Sequence, residues 1–298
     1  MCELLAISAR FPTTVRLSLD ELARHGGGTG PHRDGWGIAL WQDGDALVIR
    51  EPDSASESRW VRFLQEREPR TSIAIAHVRK ATQGARVLRN TQPFARELGG
   101  RVHLFAHNGM LPGIEDDARF PTGRFRRIGE TDSEQAFCAL LARLEKLWGS
   151  AVPELDDRLS EVRLFASDLR TIGPANFLYT DGDVIFAHGH RRKHDGGDIR
   201  PPGLHLLCRS CTLTSDSVPL DGLTIDPKER QQVALIASVP LSAEPWEPLL
   251  EGEIVVLREG RVIRKSRPDV LAMRASADPL QVQGWRTVLD NRKPRSAP

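Results

Sequence analysis

The pattern of apolar and polar positions predicts a chain of many short strands and few helices. Apolar runs bounded by turn residues indicate strands, whereas apolar residues spaced three and four apart indicate amphipathic helices. Strands are predicted at 3–8, 35–40, 46–50, 72–78, 102–107, 176–180, 184–188, 204–208, 233–238, 254–257 and 261–265. Helices are predicted at 17–25 (with Ser18 as N-cap), 54–66, 133–148 and 159–169, and the glycine run at 26–31 is predicted to be a loop.

Three short turns predict hairpins between consecutive strands. They contain Asp43-Gly44, Asp181-Gly182 and Glu259-Gly260, and glycine after an acidic residue is typical of such turns. No regular alternation of strand and helix is visible. The pattern therefore favours sheets packed with helices over a doubly wound parallel sheet.

Composition and charge are those of an ordinary globular protein. Of 298 residues, 40% are hydrophobic and 27% charged, and 41 basic against 40 acidic residues give a net charge of +1. This balance does not indicate a nucleic-acid or membrane surface. No apolar run approaches the roughly 18 residues that a membrane span requires, and the first residues do not resemble a signal peptide. We therefore expect a cytoplasmic protein.

The length is sufficient for one large domain. No linker interrupts the predicted elements, so we expect one domain over residues 1–267. Residues 268–298 are polar and end in a stretch rich in proline and arginine. We expect them to form a tail that is partly disordered.

Cys2 is the first residue whose chemistry stands out. A thiol is a strong nucleophile only as thiolate, so it needs a base. Once Met1 is removed, the α-amino group of Cys2, with an ordinary pKa of about 7.7–8.0, can act as that base. A small buried residue at the start of a strand explains the same position without chemistry.

Three further motifs lie at the ends of predicted elements. Arg79 follows a strand, where a guanidinium can clamp a carboxylate. Asn108 and Gly109 place a side-chain amide beside a backbone N–H, as an oxyanion hole requires. Asp132 opens a helix and can bind an ammonium group. Taken singly, these residues are also explained by a solvated strand end, an Asn-Gly turn and a helix N-cap, with Thr131 as the other candidate cap.

Together, and in this order, the motifs resemble those of class II glutamine amidotransferases, most closely the YafJ-like branch. The resemblance covers roughly residues 2–250. Its six motifs are Met1-Cys2, Asp34-Gly35-Trp36-Gly37, His77-Val78-Arg79-Lys80-Ala81-Thr82, Asn90-Thr91-Gln92-Pro93-Phe94, His107-Asn108-Gly109 and Gly129-Glu130-Thr131-Asp132-Ser133-Glu134. Each motif alone is weak, but six in the same order are specific.

The resemblance implies an α+β fold, a four-layer αββα sandwich of the N-terminal-nucleophile hydrolase type with mostly antiparallel sheets. It implies that Cys2 is the nucleophile and that its freed amino group is the base. Asn108 and Gly109 would form the oxyanion hole. Glutamine would be cleaved through a γ-glutamyl thioester on Cys2, with release of ammonia and glutamate.

The resemblance also implies the residues that bind the substrate. Arg79, assisted by Thr82, would bind the α-carboxylate of glutamine, and Asp132 its α-ammonium group. Trp36 is expected to pack and to line the pocket. Neither a metal ion nor a cofactor is implied.

Two positions depart from the family pattern. Gln92 and Gln83 stand where many members carry histidine, and we expect both to affect substrate contacts. Biosynthetic members also carry a synthase or phosphoribosyl domain that uses the ammonia, and too few residues follow position 250 for such a domain. The acceptor is therefore expected to be water or a group on a partner protein.

Other cysteines and histidines are given structural roles. Cys138 is expected in the core, on the apolar face of the predicted helix that contains it. Cys208 and Cys211 have C-x-x-C spacing without a second metal-binding pair, so a structural or incidental role is expected. His188 and His190, with His194, are interpreted as part of a polar loop rather than a metal site.

Three functions stay open from the sequence. The first is a glutamine amidotransferase or glutaminase. The second is hydrolysis of another γ-glutamyl amide, such as a glutathione-like peptide. The third is a non-catalytic subunit that binds γ-glutamyl groups, against which the complete set Cys2, Arg79, Asn108 and Asp132 argues.

Overall fold

A computed structural model describes residues 2–15, 20–21, 23–28, 30–42, 44–149, 151–194, 196–211 and 230–267. Its described residues up to Ser266 belong to one compact unit. The predicted tail at 268–298 and the predicted cap Ser18 lie outside the described residues.

Strands dominate the fold. In chain order they are β1 (Glu3–Thr14), β2 (Trp36–Gln42), β3 (Asp45–Glu51), β4 (Arg70–Val78), β5 (Phe94–Leu98), β6 (Arg101–Gly109), β7 (Ala175–Thr180), β8 (Ile185–His188), β9 (Arg192–Lys193), β10 (Ile199–Arg200), β11 (His205–Cys211), β12 (Gln231–Ala237), β13 (Glu247–Pro248), β14 (Ile254–Arg258) and β15 (Arg261–Ser266). The α-helices are α1 (Arg59–Arg67), α2 (Asp132–Leu144) and α3 (Leu155–Ile172). Shorter helical segments lie at Arg24–Gly28, Ala55–Glu57 and Leu88–Asn90.

The strands form two large sheets and one small hairpin. The seven-stranded sheet has the order β13-β11-β12-β1-β4-β2-β3, and the six-stranded sheet has the order β15-β14-β8-β7-β6-β5. Strands β9 and β10 pair with each other. Every pairing within the described residues is antiparallel.

Helices cover the outer faces of both sheets. Val61 and Leu64 of α1 pack against the seven-stranded sheet. Phe137 of α2 and Phe165 of α3 pack against the six-stranded sheet, where the Phe137 ring stacks on Phe105 at 5.3 Å. This arrangement is the predicted α+β sandwich with four layers, αββα.

A third apolar layer lies between the sheets. It contains Leu4 and Ala6 of β1, Ile75 of β4, Ala106 of β6 and Ile236 of β12. These positions follow the two-residue period of a strand. Burying this layer and the two outer layers removes most of the apolar side chains from water, which stabilises the fold.

Several element boundaries differ from the predictions. Helix α1 begins at Arg59 rather than 54, because the Ser58 hydroxyl accepts hydrogen bonds from the N–H groups of Trp60 and Val61 and caps it. The glycines at 26–28 fall in the short helical segment Arg24–Gly28, but Gly26 and Gly27 have non-helical backbone angles, so this part of the predicted loop is irregular. Helix α2 ends at Leu144, earlier than predicted.

Strand β5 was not predicted. Its sequence, Phe-Ala-Arg-Glu-Leu, does not alternate, and only Phe94 and Leu98 are buried. It is formed by antiparallel pairing with β6, which a local pattern does not reveal.

Within the described residues, no helix combines the length and the apolar character needed to span a bilayer.

Candidate active site

Cys2 lies at the end of the sandwich where β1 begins and β4 ends. Its thiol is placed between the main-chain groups of Lys80: the Lys80 N–H is 3.4 Å from Sγ, and Sγ is 3.5 Å from the Lys80 carbonyl oxygen. The pairing of Glu3 with Val78 sets this position. The motif around Arg79 is therefore brought to Cys2 by one antiparallel strand pair.

Asn108 reaches the same end of the molecule from the other sheet. Its side-chain Nδ2 donates to the Ser238 hydroxyl at 3.4 Å. Ser238 is also bound to β1, because its Oγ accepts from the Leu4 N–H at 3.0 Å and its own N–H donates to the Leu4 carbonyl at 3.0 Å. The Asn108 amide is thus connected to β1, the strand that begins directly after Cys2.

Gly109 ends β6 directly after Asn108. A Cβ at this position would lie 1.7 Å from the Pro174 carbonyl oxygen and 2.6 Å from Nε2 of His107. Only glycine fits so close an approach of two chain segments.

Arg79 is buried, and loop carbonyls surround its guanidinium group. Nη1 donates to the carbonyls of Asp34 and Ala85, and Nη2 donates to those of Gln83 and Gly84 at 2.9 and 3.1 Å. Both terminal nitrogens are therefore engaged by the main chain. Thr82, predicted to assist Arg79, lies exposed in the same loop.

Asp132 is buried at the first position of α2. Its carboxylate accepts from the Leu111 N–H at 2.8 Å and from the Ser133 N–H at 2.7 Å. Thr131, rather than Asp132, caps the helix, since the Thr131 hydroxyl accepts from the Glu134 N–H. The Asp132 carboxylate instead holds the segment that follows Gly109.

Burial controls the protonation of the groups near Cys2. It raises the pKa of the Cys2 thiol, although the Lys80 hydrogen bond and the charge of Arg79 act in the opposite direction. Burial also lowers the pKa of His77 to about 3, with a further contribution from the charge of Arg79. The His107 pKa is lowered for the same main reason, burial. These histidines are neutral at neutral pH.

The comparisons with known proteins agree on one family. A model of the class II glutamine amidotransferases matches residues 1–280. The chain belongs to the class II glutamine amidotransferases.

Two similar proteins, one curated and one of solved structure, illustrate the likeness to this amidotransferase. YafJ of Escherichia coli, whose name assigns it provisionally to the glutamine amidotransferases, is 35% identical over 254 residues, covering 85% of this chain and 96% of YafJ. A crystal structure from Pseudomonas aeruginosa, of a glutamine amidotransferase assigned by prediction, is 30% identical with a TM-score of 0.61. That match covers 88% of this chain and all of the other.

Glutamine phosphoribosylpyrophosphate amidotransferase of Bacillus subtilis shares the fold at lower sequence identity. It is 15% identical with a TM-score of 0.56, covering 90% of this chain and 50% of that one. At this identity the likeness shows the fold alone.

The Asp34–Gly37 motif of this amidotransferase holds the loop that follows Arg79 and leads into β2. The Asp34 carboxylate accepts from the Ala81 N–H at 2.8 Å, which holds the loop after Arg79. Gly35 has a positive φ of 137°, and a Cβ there would lie 3.1 Å from the Glu51 carbonyl oxygen. Glycine is therefore required where the chain enters β2.

Trp36 packs in the core, and its predicted contact with substrate stays a prediction. Its side chain is fully buried in the layer between the seven-stranded sheet and α1. Its indole Nε1 donates to the Glu51 carboxylate at 3.0 Å. The predicted packing of Trp36 is therefore confirmed, on the side of the sheet that faces α1.

Gln92 acts on the main chain of β6. Its buried side chain pairs with the main chain of His107: Oε1 accepts from the His107 N–H at 2.6 Å and Nε2 donates to the His107 carbonyl at 3.2 Å. Asn176 acts similarly on the next residue, donating to the Asn108 carbonyl at 3.0 Å. Gln92 thus positions the strand that carries Asn108, and any effect on substrate contacts would act through this strand.

The remaining cysteines and histidines lie apart from these contacts. Cys138 is fully buried in the core, as predicted. Cys208 is exposed on β11, and the Cys211 side chain lies outside the described residues, so the role of this pair stays a prediction. His188 and His190 are buried, and His188 lies at the end of β8 rather than in the predicted polar loop.

Metal binding receives no support from the described side chains. Within these parts of the chain, no three histidine, cysteine, aspartate or glutamate residues are arranged to hold a metal ion.

An ion pair next to Cys2 escaped the sequence analysis. His25 Nδ1 lies 2.5 Å from Glu3 Oε2, and His25 Nε2 lies 3.5 Å from Glu21 Oε2. The hydrogen bond to Glu3 raises the pKa of His25. Burial raises the pKa of Glu3, but the hydrogen bond and charge of His25, together with the charges of His32 and Arg192, outweigh burial, and the pKa is lowered. The sequence offered one signal, the acidic residue Glu3 beside Cys2. Its partner His25 is distant in the chain.

This pair predicts a specific pH dependence of stability. Its contribution is complete between the ordinary pKa values of 4.5 for Glu3 and 6.5 for His25. It is lost as pH rises through the raised pKa of His25, and as pH falls through the lowered pKa of Glu3. We expect Glu3→Gln to reduce the free energy of unfolding by about 1 kcal/mol at pH 5.5, and by less at pH 8.5. Urea unfolding at both pH values measures this.

The difference in stability between Glu3→Gln and wild type isolates the contribution of the Glu3–His25 ion pair, because the other buried histidines are present in both proteins. Glu21→Gln is the control, with a smaller expected change since its contact with His25 is longer. An equal loss for Glu3→Gln at both pH values would contradict the assigned ion pair.

A second prediction concerns Gln92. Gln92→Met keeps the side-chain length but removes both bonds to His107, leaving a buried N–H and carbonyl without these partners. We expect a loss of about 1–3 kcal/mol in the free energy of unfolding. Gln83→Met, at the other departure from the family pattern, is exposed and should change stability by less than about 0.5 kcal/mol. Equal effects of the two variants would overturn the positioning role of Gln92.

Proposed function

We propose that the protein hydrolyses the side-chain amide of glutamine through a γ-glutamyl thioester on Cys2, releasing ammonia and glutamate. The family supports an amidotransferase, and the arrangement at the Cys2 end of the sandwich supports this reaction. The observation that carries the proposal is the chain of contacts from Lys80 and Cys2 through Leu4 and Ser238 to Asn108. It places a thiol and an amide donor at one end of the interface between the sheets.

The first half of the proposed reaction forms the thioester. Removal of Met1 frees the amino group of Cys2, which takes the proton of the thiol. The thiolate attacks the amide carbon of the glutamine side chain. The second N–H of the Asn108 amide and the N–H of Gly109 stabilise the tetrahedral oxyanion, and each such donor is worth roughly 2.7–4 kcal/mol in a comparable enzyme.

The second half releases both products. The protonated amino group of Cys2 gives its proton to the leaving nitrogen, the carbon–nitrogen bond breaks and ammonia departs. Water then attacks the thioester with the amino group again as base, and glutamate leaves. The ammonia is released into water or passed to an acceptor group on a partner protein.

Recognition of the substrate backbone falls to Arg79, Thr82 and Asp132. Asp132 accepts only main-chain and Ser133 hydrogen bonds among the described residues, so its negative charge is free to bind the α-ammonium group. Arg79 has a competing partner, because the carbonyls at 83–85 occupy its terminal nitrogens. The α-carboxylate would replace these carbonyls, and a charged acceptor is the stronger partner.

Substitution of Cys2 tests the mechanism. Cys2→Ala should lower glutaminase turnover by about 10⁴-fold or more, since the nucleophile is lost. It should leave the thermal unfolding midpoint nearly unchanged, because Cys2 lies outside the three apolar clusters. The readouts are ammonia release and mass spectrometry after incubation with a glutamine-mimicking electrophile. Mass spectrometry also reports whether Met1 is removed.

Cys208→Ala is the matched control, because it removes an exposed thiol on β11. It should retain both turnover and labelling at position 2. Undiminished turnover in Cys2→Ala, or a retained Met1 in active protein, would rule the mechanism out.

Substrate choice provides a separate prediction. Glutamine should be turned over with a higher kcat/KM than γ-glutamyl peptides, and asparagine, one methylene shorter, at least about ten-fold less well than glutamine. Parallel assays of ammonia and amine release measure this. A preference for γ-glutamyl peptides would keep the thioester chemistry but change the substrate. Absence of turnover with every compound would favour a non-catalytic binding subunit.

A further inference from the structure

The hydroxyl of Ser133 lies between two side chains of the candidate active site. It is buried in the first turn of α2, 3.3 Å from Oδ1 of Asp132 and 2.9 Å from Nδ1 of His107. Helix α2 does not need this hydroxyl as a cap, because Thr131 already accepts from the Glu134 N–H. The position of the hydroxyl is therefore explained by the two side chains that it contacts.

The direction of these hydrogen bonds follows from the groups that can accept. An ionised carboxylate only accepts, so the single proton of the Ser133 hydroxyl points to Asp132. Ser133 Oγ then accepts from Nδ1–H of His107. Burial lowers the pKa of His107, which leaves it one ring proton, and its Nε2 makes no hydrogen bond among the described residues. The result is a chain of donors from His107 through Ser133 to Asp132.

The carboxylate of Asp132 is held at both oxygens and lies near Cys2. Oδ1 accepts from the Ser133 N–H at 2.7 Å, and Oδ2 accepts from the Leu111 N–H at 2.8 Å. Burial raises the pKa of the Cys2 thiol, and the negative charge of Asp132 raises it further, so the two groups lie within electrostatic reach of each other. An ammonium group would supply the cation that these neutral donors do not.

His107 connects this carboxylate to the predicted oxyanion donors. It precedes Asn108 and Gly109 in β6, and its ring lies so close to Gly109 that a Cβ there would be 2.6 Å from Nε2. Its main chain is fixed separately by two hydrogen bonds with Gln92. The contact between His107 and Ser133 therefore sets where the start of α2 lies relative to the end of β6.

We propose that Ser133 and His107 are positioning residues, which hold the carboxylate of Asp132 for an α-ammonium group at a fixed place relative to Asn108 and Gly109. The inference rests on the proposed function, because it takes Asp132 as the ligand of this ammonium group. It deepens that function by assigning the residues that set the distance between the two ends of the substrate site. A carboxylate that is already held in one orientation loses less entropy when its ligand binds.

Two substrates that differ only in the ammonium group test the proposal. Glutaramate is glutamine without its α-ammonium group, so it lacks the group that Asp132 would bind. Ser133→Ala should lower kcat/KM for glutamine by about ten-fold and leave kcat/KM for glutaramate within about two-fold of wild type. Structural damage to β6 would lower both values together. A loss of folded protein cancels in the ratio, because both substrates are measured with the same protein.

The donor on His107 is tested by two variants of nearly equal shape. His107→Asn keeps a side-chain N–H donor, whereas His107→Leu has none. We expect the ratio of kcat/KM for glutamine to that for glutaramate to be at least about three-fold higher in His107→Asn than in His107→Leu. Ser160→Ala removes an exposed hydroxyl on α3 and should leave the ratio unchanged.

Ligand binding separates this inference from the proposed function. L-Glutamate and glutarate, which differ in the same ammonium group, are titrated into the full chain by isothermal calorimetry. If wild type releases no ammonia but Ser133→Ala weakens the binding of glutamate and not of glutarate, the proposed reaction fails and the positioning role stands.

The opposite result is equally clear. If wild type hydrolyses glutamine and Ser133→Ala keeps the wild-type ratio of the two substrates, the positioning role is overturned and the proposed reaction stands. Equal ratios in His107→Asn and His107→Leu would overturn the part assigned to His107. Wild type that neither hydrolyses glutamine nor binds glutamate would overturn both proposals.

Discussion

The apolar layer shared by the two sheets is the constraint on which the site depends. Side chains of one strand alternate between its faces, so the layer admits every second residue. Leu4, Ile75, Ala106 and Ile236 occupy it. Two residues further along the same faces come Cys2, His77, Asn108 and Ser238. The site is thus the polar continuation of the layer, at the end where the apolar residues stop.

The alternation of side chains along the strands explains which features of the fold and the site could be predicted from the sequence. The strand pattern indicated most strands, and the six motifs indicated the family and with it the sandwich. The sequence could not show which face of a strand meets which layer. Trp36 shares a face with Ile38 and Leu40, and this face packs against α1 rather than against the other sheet. Strand β5 and the Glu3–His25 pair were missed because their partners lie far away in the sequence.

The two departures from the family pattern show how a local argument fails. Both glutamines were expected to affect substrate. Gln92 makes a donor and an acceptor bond to one residue of β6, as a neighbouring strand would. Gln83 contributes its main-chain carbonyl to Arg79. For Gln92 the position of the carboxamide is decided by the backbone groups of His107 that need partners, since buried N–H and carbonyl groups are rarely left unpaired.

Protonation of the buried histidines bears on the choice of base. A base for the Cys2 thiol must hold a proton near neutral pH, and the pKa of His77, at about 3, is too low for that. His107 is shifted in the same direction by burial. Burial also raises the pKa of the thiol itself. The base that takes the thiol proton must therefore have a higher pKa as well. An α-amino group has an ordinary pKa of about 7.7–8.0, which meets this demand better than either imidazole. The burial that lowers the pKa of the neighbouring imidazoles therefore supports the proposed use of the α-amino group as the base.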